Sequence, residues 1–185
     1  MTGKCLLAGA IVVAVVVVLA ALAAFTGVYD VAADAPHTTL MKSVIAFVRE
    51  RSIDVRANAI HVPPLDPPQM ISEGAGHYDE MCTGCHLAPG MKENEMRPGM
   101  NPKPPVLARV HAGSPAEQFW IVKHGIKMSG MPAWGPTHTD TEIWDIVAFL
   151  QKLPSLAPSQ YRALVAQASG HHQHESSGMD MPHRH

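Results

Sequence analysis

The stretch Met81-Cys82-Thr83-Gly84-Cys85-His86 decides how the rest of the chain is read. Two thiols stand three positions apart, one helical turn, and an imidazole follows at once. That spacing lets both sulfurs reach the two vinyl groups of one haem and form thioether bonds, while His86 is placed on the proximal face of the iron. A zinc half-site would need a second Cys/His pair, and no cysteine follows Cys85. A thioredoxin-like redox pair would need a βαβ setting, and no clear alternating strand pattern occurs. The remaining cysteine, Cys5, precedes an apolar run and reads as a small apolar residue.

Working outward, the sixth iron ligand is sought downstream. Gly125-Ile126-Lys127-Met128-Ser129-Gly130-Met131-Pro132 offers two thioethers. Sulfur of this kind is soft and neutral, favours ferrous iron, and raises the reduction potential relative to a second imidazole. Met131 lies between a permissive glycine and a fixed proline, which suits a loop presenting one sulfur. Met128 is the alternative distal ligand. His111, His124 and His138 read as surface or helix-end histidines.

Residues 69–153 read as a small all-α domain. A first helix runs through Met70, Gly74, Tyr78 and Met81 into the cysteine motif, with Asp66 or a neighbour as its cap. Ser114-Pro115-Ala116-Glu117 is a capping box with proline at the first helical position, and Gly125 marks its stop. Thr139-Asp140-Thr141-Glu142 is a second box. It opens a helix with Ile143, Ile146, Val147, Leu150 and Leu153 on one face. A domain of this size has a marginal core, and a buried haem would supply the missing apolar body.

These residues resemble a class I c-type cytochrome domain. Gly74 and Tyr78 stand where that family has a small residue and an aromatic ahead of the first cysteine. The resemblance implies that they cross the C-terminal helix near Ile146 and Phe149. Gly130-Met131-Pro132 is similar to the family's axial-methionine loop. Lys103-Pro104-Pro105-Val106-Leu107 is similar to the proline loop whose carbonyl accepts the proximal histidine's N–H, without indicating which proline supplies it. The resemblance implies one covalent haem c held by Cys82 and Cys85, with His86 and Met131 as axial ligands. It also implies attachment outside the cytoplasm.

The N-terminus carries the second strong signal. No charge occurs across the 25 residues from Cys5 to Tyr29. As a helix these would span roughly 37 Å, enough for a hydrocarbon core of about 30 Å. A cleaved signal peptide is the alternative, with Ala23 and Ala35 as candidate cleavage points. Its apolar region would be about 7–15 residues, and the greater length here favours a retained anchor. The expected order is therefore a transmembrane anchor over 5–29, an amphipathic juxtamembrane helix over 38–60, a proline-rich linker over 61–68, the haem domain over 69–153 and an extension over 154–185. The helix over 38–60 suits a membrane surface, a partner or its own domain. The extension holds a short helix around Tyr161–Ala168 and then a tail whose His171, His172, His174, His183 and His185 suit Cu or Zn. Met91, Met96 and Met100 read as packing over the haem edge.

The net charge of −2 argues against a nucleic-acid partner. The reading is a single-pass protein of the bacterial inner membrane with its haem domain on the periplasmic side. It passes single electrons between a donor and an acceptor, free-standing or within an oxidase or dehydrogenase complex, with no substrate chemistry of its own. The alternatives are a copper-handling haem protein and a haem sensor that binds small ligands.

Overall fold

The computed structural model describes residues 2–111 and 113–176, and divides into two compact units, 1–36 and 37–185. The first unit holds one helix, α1 (Thr2–Thr26). Aliphatic side chains cover it on every side, and among the described residues it is the one helix long and apolar enough to cross a membrane. An all-round apolar helix with its side chains exposed in water would be unfavourable, which is the physical content of that length and composition.

The second unit contains α2 (Thr39–Ala57), α3 (Pro68–Met81), α4 (Thr83–His86), α5 (Pro115–His124), α6 (Asp140–Lys152) and α7 (Pro158–Ser176). Short 3₁₀ turns stand at Arg97–Gly99 and Leu153–Ser155, and no strand occurs among the described residues. Both capping boxes are formed. Ser114 accepts from the Glu117 amide while the Glu117 carboxylate accepts from Ser114, and Thr139 and Glu142 do the same. Each closes two otherwise orphaned donors, so α5 and α6 start at fixed points. The start of α3 differs from the sequence expectation. Pro67 is its cap residue without a side-chain bond, and the Asp66 carboxylate instead faces Lys152 at 3.7 Å. Pro68 at the first helical position is pre-set in φ for a helix start and has no N–H of its own to leave unpaired.

The core forms where α3 crosses α6. Tyr78, Ile143, Ile146, Val147 and Phe149 are all fully buried there. Gly74 permits the crossing: a Cβ at that position would fall onto the Asp145 carbonyl. The Tyr78 and Phe149 rings pack with centroids 5.3 Å apart. On the other side of α3, Gly76 admits α7, since a Cβ there would come within 2.7 Å of the Ala168 Cβ. The Tyr161 hydroxyl donates to Asp79 at 2.6 Å, tying α7 to α3. The helix expected around Tyr161–Ala168 thus runs from Pro158 to Ser176 and belongs to the core. Stacking of Phe119 on Trp144 at 4.2 Å and the Lys123–Asp140 ion pair at 2.6 Å fasten α5 to α6.

Packing α6 on α3 half-buries Asp145 beside Glu73 and Glu142. Desolvation first, and then these two carboxylates, raise its pKa to about 6. A raised carboxylate pKa means that the folded state holds the proton more tightly than the unfolded chain. The ionised group therefore costs stability above about pH 6, and the cost fades as pH falls toward 3.8. Asp145→Asn is expected to raise the melting temperature at pH 8, by about 1 kcal/mol of stability after allowance for solvent screening. The two proteins should converge near pH 4, and thermal melts across that range check it.

Helix α2 seats on its own domain through Ile53 and Ala57, both buried, and packs against α5. Its N-terminal half is different. Leu40 and Phe47 are 76% and 69% exposed, and Val44 and Val48 are also exposed.

Candidate functional site

The cysteine motif is a break between two helices. α3 ends at Met81, Cys82 leaves the helical track with φ −108°, and α4 carries Thr83 to His86. The chain then turns sharply: Leu87 is buried with φ 59°, a left-handed conformation costly for a branched residue. The buried Tyr78 hydroxyl holds this peptide by donating to the Leu87 carbonyl at 2.6 Å. Burial raises the Tyr78 pKa, so the hydroxyl keeps the proton it donates. The aromatic residue two turns into the core thus fixes the backbone next to His86.

The imidazole of His86 is fixed from the other side by the Pro105 carbonyl, 2.9 Å from Nδ1. A carbonyl can only accept, so Nδ1 carries the proton and Nε2 keeps its lone pair free for a metal. Burial lowers the His86 pKa, with the Arg97 charge adding to it against the Pro105 bond, so the ring is held neutral as ligation requires. The sequence left the choice of proline open; Pro105 takes that role.

Arg97 is the residue sequence reasoning missed. It is 1% exposed and spans the site with all of its guanidinium. Nη1 donates to the Cys85 carbonyl, Nη2 to the Pro104 carbonyl at 3.0 Å, and Nε to the Glu93 carboxylate at 3.0 Å. Asn94 adds a bond from Nδ2 to the Gly84 carbonyl at 2.6 Å. The long loop after α4 is therefore folded back onto the cysteine motif, and the peptide next to Pro105 is held at the same point. Lys103 and Arg97 together pull the Glu93 pKa below its usual value.

Below this proximal wall lies an apolar cavity of about 550 Å³. Cys82, Cys85, His86 and Met131 all line it, with Leu107, Ile121, Val122, Trp134 and Leu150 among the apolar remainder. The Cys82 thiol is pushed up to about 12, first by burial and then by Cys85, so it stays protonated at neutral pH. The loop carrying Met131 is short and self-bonded. Ser129 Oγ donates to the Ile126 carbonyl at 2.7 Å and accepts from the Met131 amide at 3.1 Å. Gly125 sits at φ 66° under Met131 and Pro132, where a Cβ would come within 2.7 Å of the Met131 carbonyl oxygen. Met128 has φ 58° and is 95% exposed, outside the cavity.

Residues 69–150 match the family model described as cytochrome c oxidase, cbb3-type, subunit III. They form a class I c-type cytochrome domain. No curated protein and no solved structure matches the chain. The cytochrome domain implies covalent haem c, and the residues present fit that group. The cavity volume lies within the roughly 300–1,000 Å³ of cofactor sites. Its wall combines two thiols, a neutral imidazole with a free Nε2 and a thioether.

Other sequence-predicted residues stand apart from the cavity. His111, His124 and His138 do not line it; His138 rests edge-on against Trp134. Of the three loop methionines only Met100 lines the cavity, while Met91 and Met96 are 44% and 51% exposed. The buried side chain of that loop is Arg97. His183 and His185 lie outside the described residues. His171, His172 and His174 fall in the last turns of α7, where the side chains also lie outside what is described. Among the described residues no group of three His, Cys, Asp or Glu could hold a metal ion.

Proposed function

We propose that the chain is a membrane-anchored monohaem cytochrome that passes single electrons between redox partners outside the cytoplasm. Cys82 and Cys85 hold the haem by thioether bonds, and His86 and Met131 are its axial ligands. The observation that carries this reading is the convergence of these four side chains on one apolar cavity from which Met128 is absent. When bound, haem iron supplies a one-electron ferric/ferrous couple. The protein's part is to keep that couple dry, fixed and six-coordinate. Pro105 holds the His86 proton at Nδ1, Ser129 and Gly125 shape the Met131 loop, and the aliphatic wall excludes water. With both axial positions taken by side chains, no site remains for oxygen, peroxide or nitrite, which favours a carrier over an enzyme or a gas sensor.

The apolar α1 supports retention in the bacterial inner membrane, with the haem domain on the periplasmic side where thioether attachment takes place. The outward Leu40, Val44 and Phe47 of α2 suit the water–lipid boundary. The matching family's description supports an oxidase complex as the setting for the partners. Carbon monoxide tests the carrier reading. The reduced protein at neutral pH is expected to show no carbon monoxide difference spectrum; rapid, saturable binding would point to a ligand sensor instead.

A further inference from the structure

α2 lies outside the matched segment 69–150, yet one of its side chains reaches the haem cavity. Arg49 lines that cavity, and it also lines a neighbouring groove of about 460 Å³ between α2 and the Ile126–Ser129 loop. Arg49, Pro102, Ile126 and Ser129 are common to both, so Arg49 stands on the partition between them. α2 is held there by the buried Ile53 and Ala57 one and two turns further on. The helix is thus a wall of the haem site as well as a connector.

The charge on that wall is one-sided. Among the described residues, those lining the cavity with charge at neutral pH are Arg49 and Lys103, and no carboxylate is among them. A cavity otherwise apolar that is edged by cations suits a ligand with an apolar body and an anionic rim, and haem carries two propionate carboxylates. Lys103 is already committed: its Nζ lies 2.8 Å from Glu93, which Arg97 also holds. Arg97 is itself saturated by two carbonyls and Glu93. On α5, Glu117 closes its cap and Lys123 pairs with Asp140. Among the described residues the charged partner of Arg49 is the neighbouring Glu50 at 3.1 Å, and that carboxylate is 71% exposed. An exposed pair of this kind is worth little, whereas a planar guanidinium can hold a carboxylate with two parallel bonds.

We infer that Arg49 binds a haem propionate, so that α2 completes the cofactor site of a domain whose family pattern begins only at residue 69. This rests on the haem reading above, which the pyridine spectrum of the wild type tests separately. The experiment uses the full-length holoprotein in detergent and reads two quantities: the propionate bending mode in resonance Raman spectra, and the reduction potential. Arg49→Gln is expected to shift the propionate mode and lower the potential, because removal of a nearby cation favours the more positive ferric state. Arg49→Lys should restore most of the potential. Lys42→Gln, a charge change on the same helix away from the cavity, should leave both readings unmoved. The inference is overturned if Arg49→Gln matches the wild type in both, if Arg49→Lys falls as far as Arg49→Gln, or if Lys42→Gln does the same. Should Arg49→Gln fail to accumulate, Glu50→Gln leaves Arg49 in place without its exposed partner. That variant is expected to raise the potential and move the propionate mode toward stronger bonding; no change in either overturns the inference equally.

Discussion

Met131→Ala is expected to convert the protein from a closed electron carrier into an open haem protein. The thioether is a neutral, soft donor that stabilises ferrous iron, so its loss should lower the reduction potential. The fall should be on the order of 0.1–0.3 V, a fraction of the roughly 0.8 V that axial ligands command. The weak long-wavelength charge-transfer band of a sulfur-ligated ferric haem should vanish, and the reduced variant should take up carbon monoxide. Met128→Ala should do none of these, because that side chain is 95% exposed and outside the cavity. Redox titration and carbon monoxide difference spectra of the two variants decide it. Reversed behaviour would transfer the distal position to Met128.

The second large effect is expected from Arg97→Met. Its guanidinium satisfies the carbonyls of Cys85 and Pro104 in a place that water does not reach. Methionine fills similar volume but leaves both acceptors unpaired, each costing about 1–3 kcal/mol. Glu93 is exposed enough to rehydrate, so its share is small. The sum, about 2–6 kcal/mol, brackets the roughly 3–5 kcal/mol lost when one partner of a buried ionic network is removed. Guanidinium unfolding of the holoprotein should show it as a lowered midpoint. Arg97→Lys should recover only part, since one ammonium cannot span two carbonyls and a carboxylate in the way a planar fork does. An unfolding midpoint within error of the wild type for Arg97→Met would contradict the account of the proximal loop.

What the sequence made legible is local chemistry. The cysteine motif, the two capping boxes and the glycine–methionine–proline loop each compress their physical reason into a few adjacent residues. Gly74 and Tyr78 were legible through a family resemblance, and their contacts with Asp145, Ile146 and Phe149 follow from it. Contacts between distant segments were not. Arg97 sits in an aperiodic loop that looks solvated, and only the folded path of that loop buries it, onto Cys85 and Pro104. The choice of Pro105 over Pro104 depends on the same path. Arg49 belongs to a helix whose periodicity says amphipathic but not what lies beneath it. α7 gave a helical signal without its neighbour, because the glycine that makes room for it, Gly76, lies far back along the chain on α3. Asp66 had the right residue type for a cap, yet the helix starts one residue later and Pro67 takes the cap position.

The most direct test of the central claim is whether the haem stays with the polypeptide when the fold is destroyed. Protein from a host able to attach haem c should be treated with acidified acetone, and the pellet and supernatant examined. The account predicts that all haem remains with the precipitated chain, and that its alkaline pyridine spectrum is that of a haem with both vinyl groups saturated through Cys82 and Cys85. Haem recovered in the acetone phase, with a spectrum of intact vinyl groups, would contradict it.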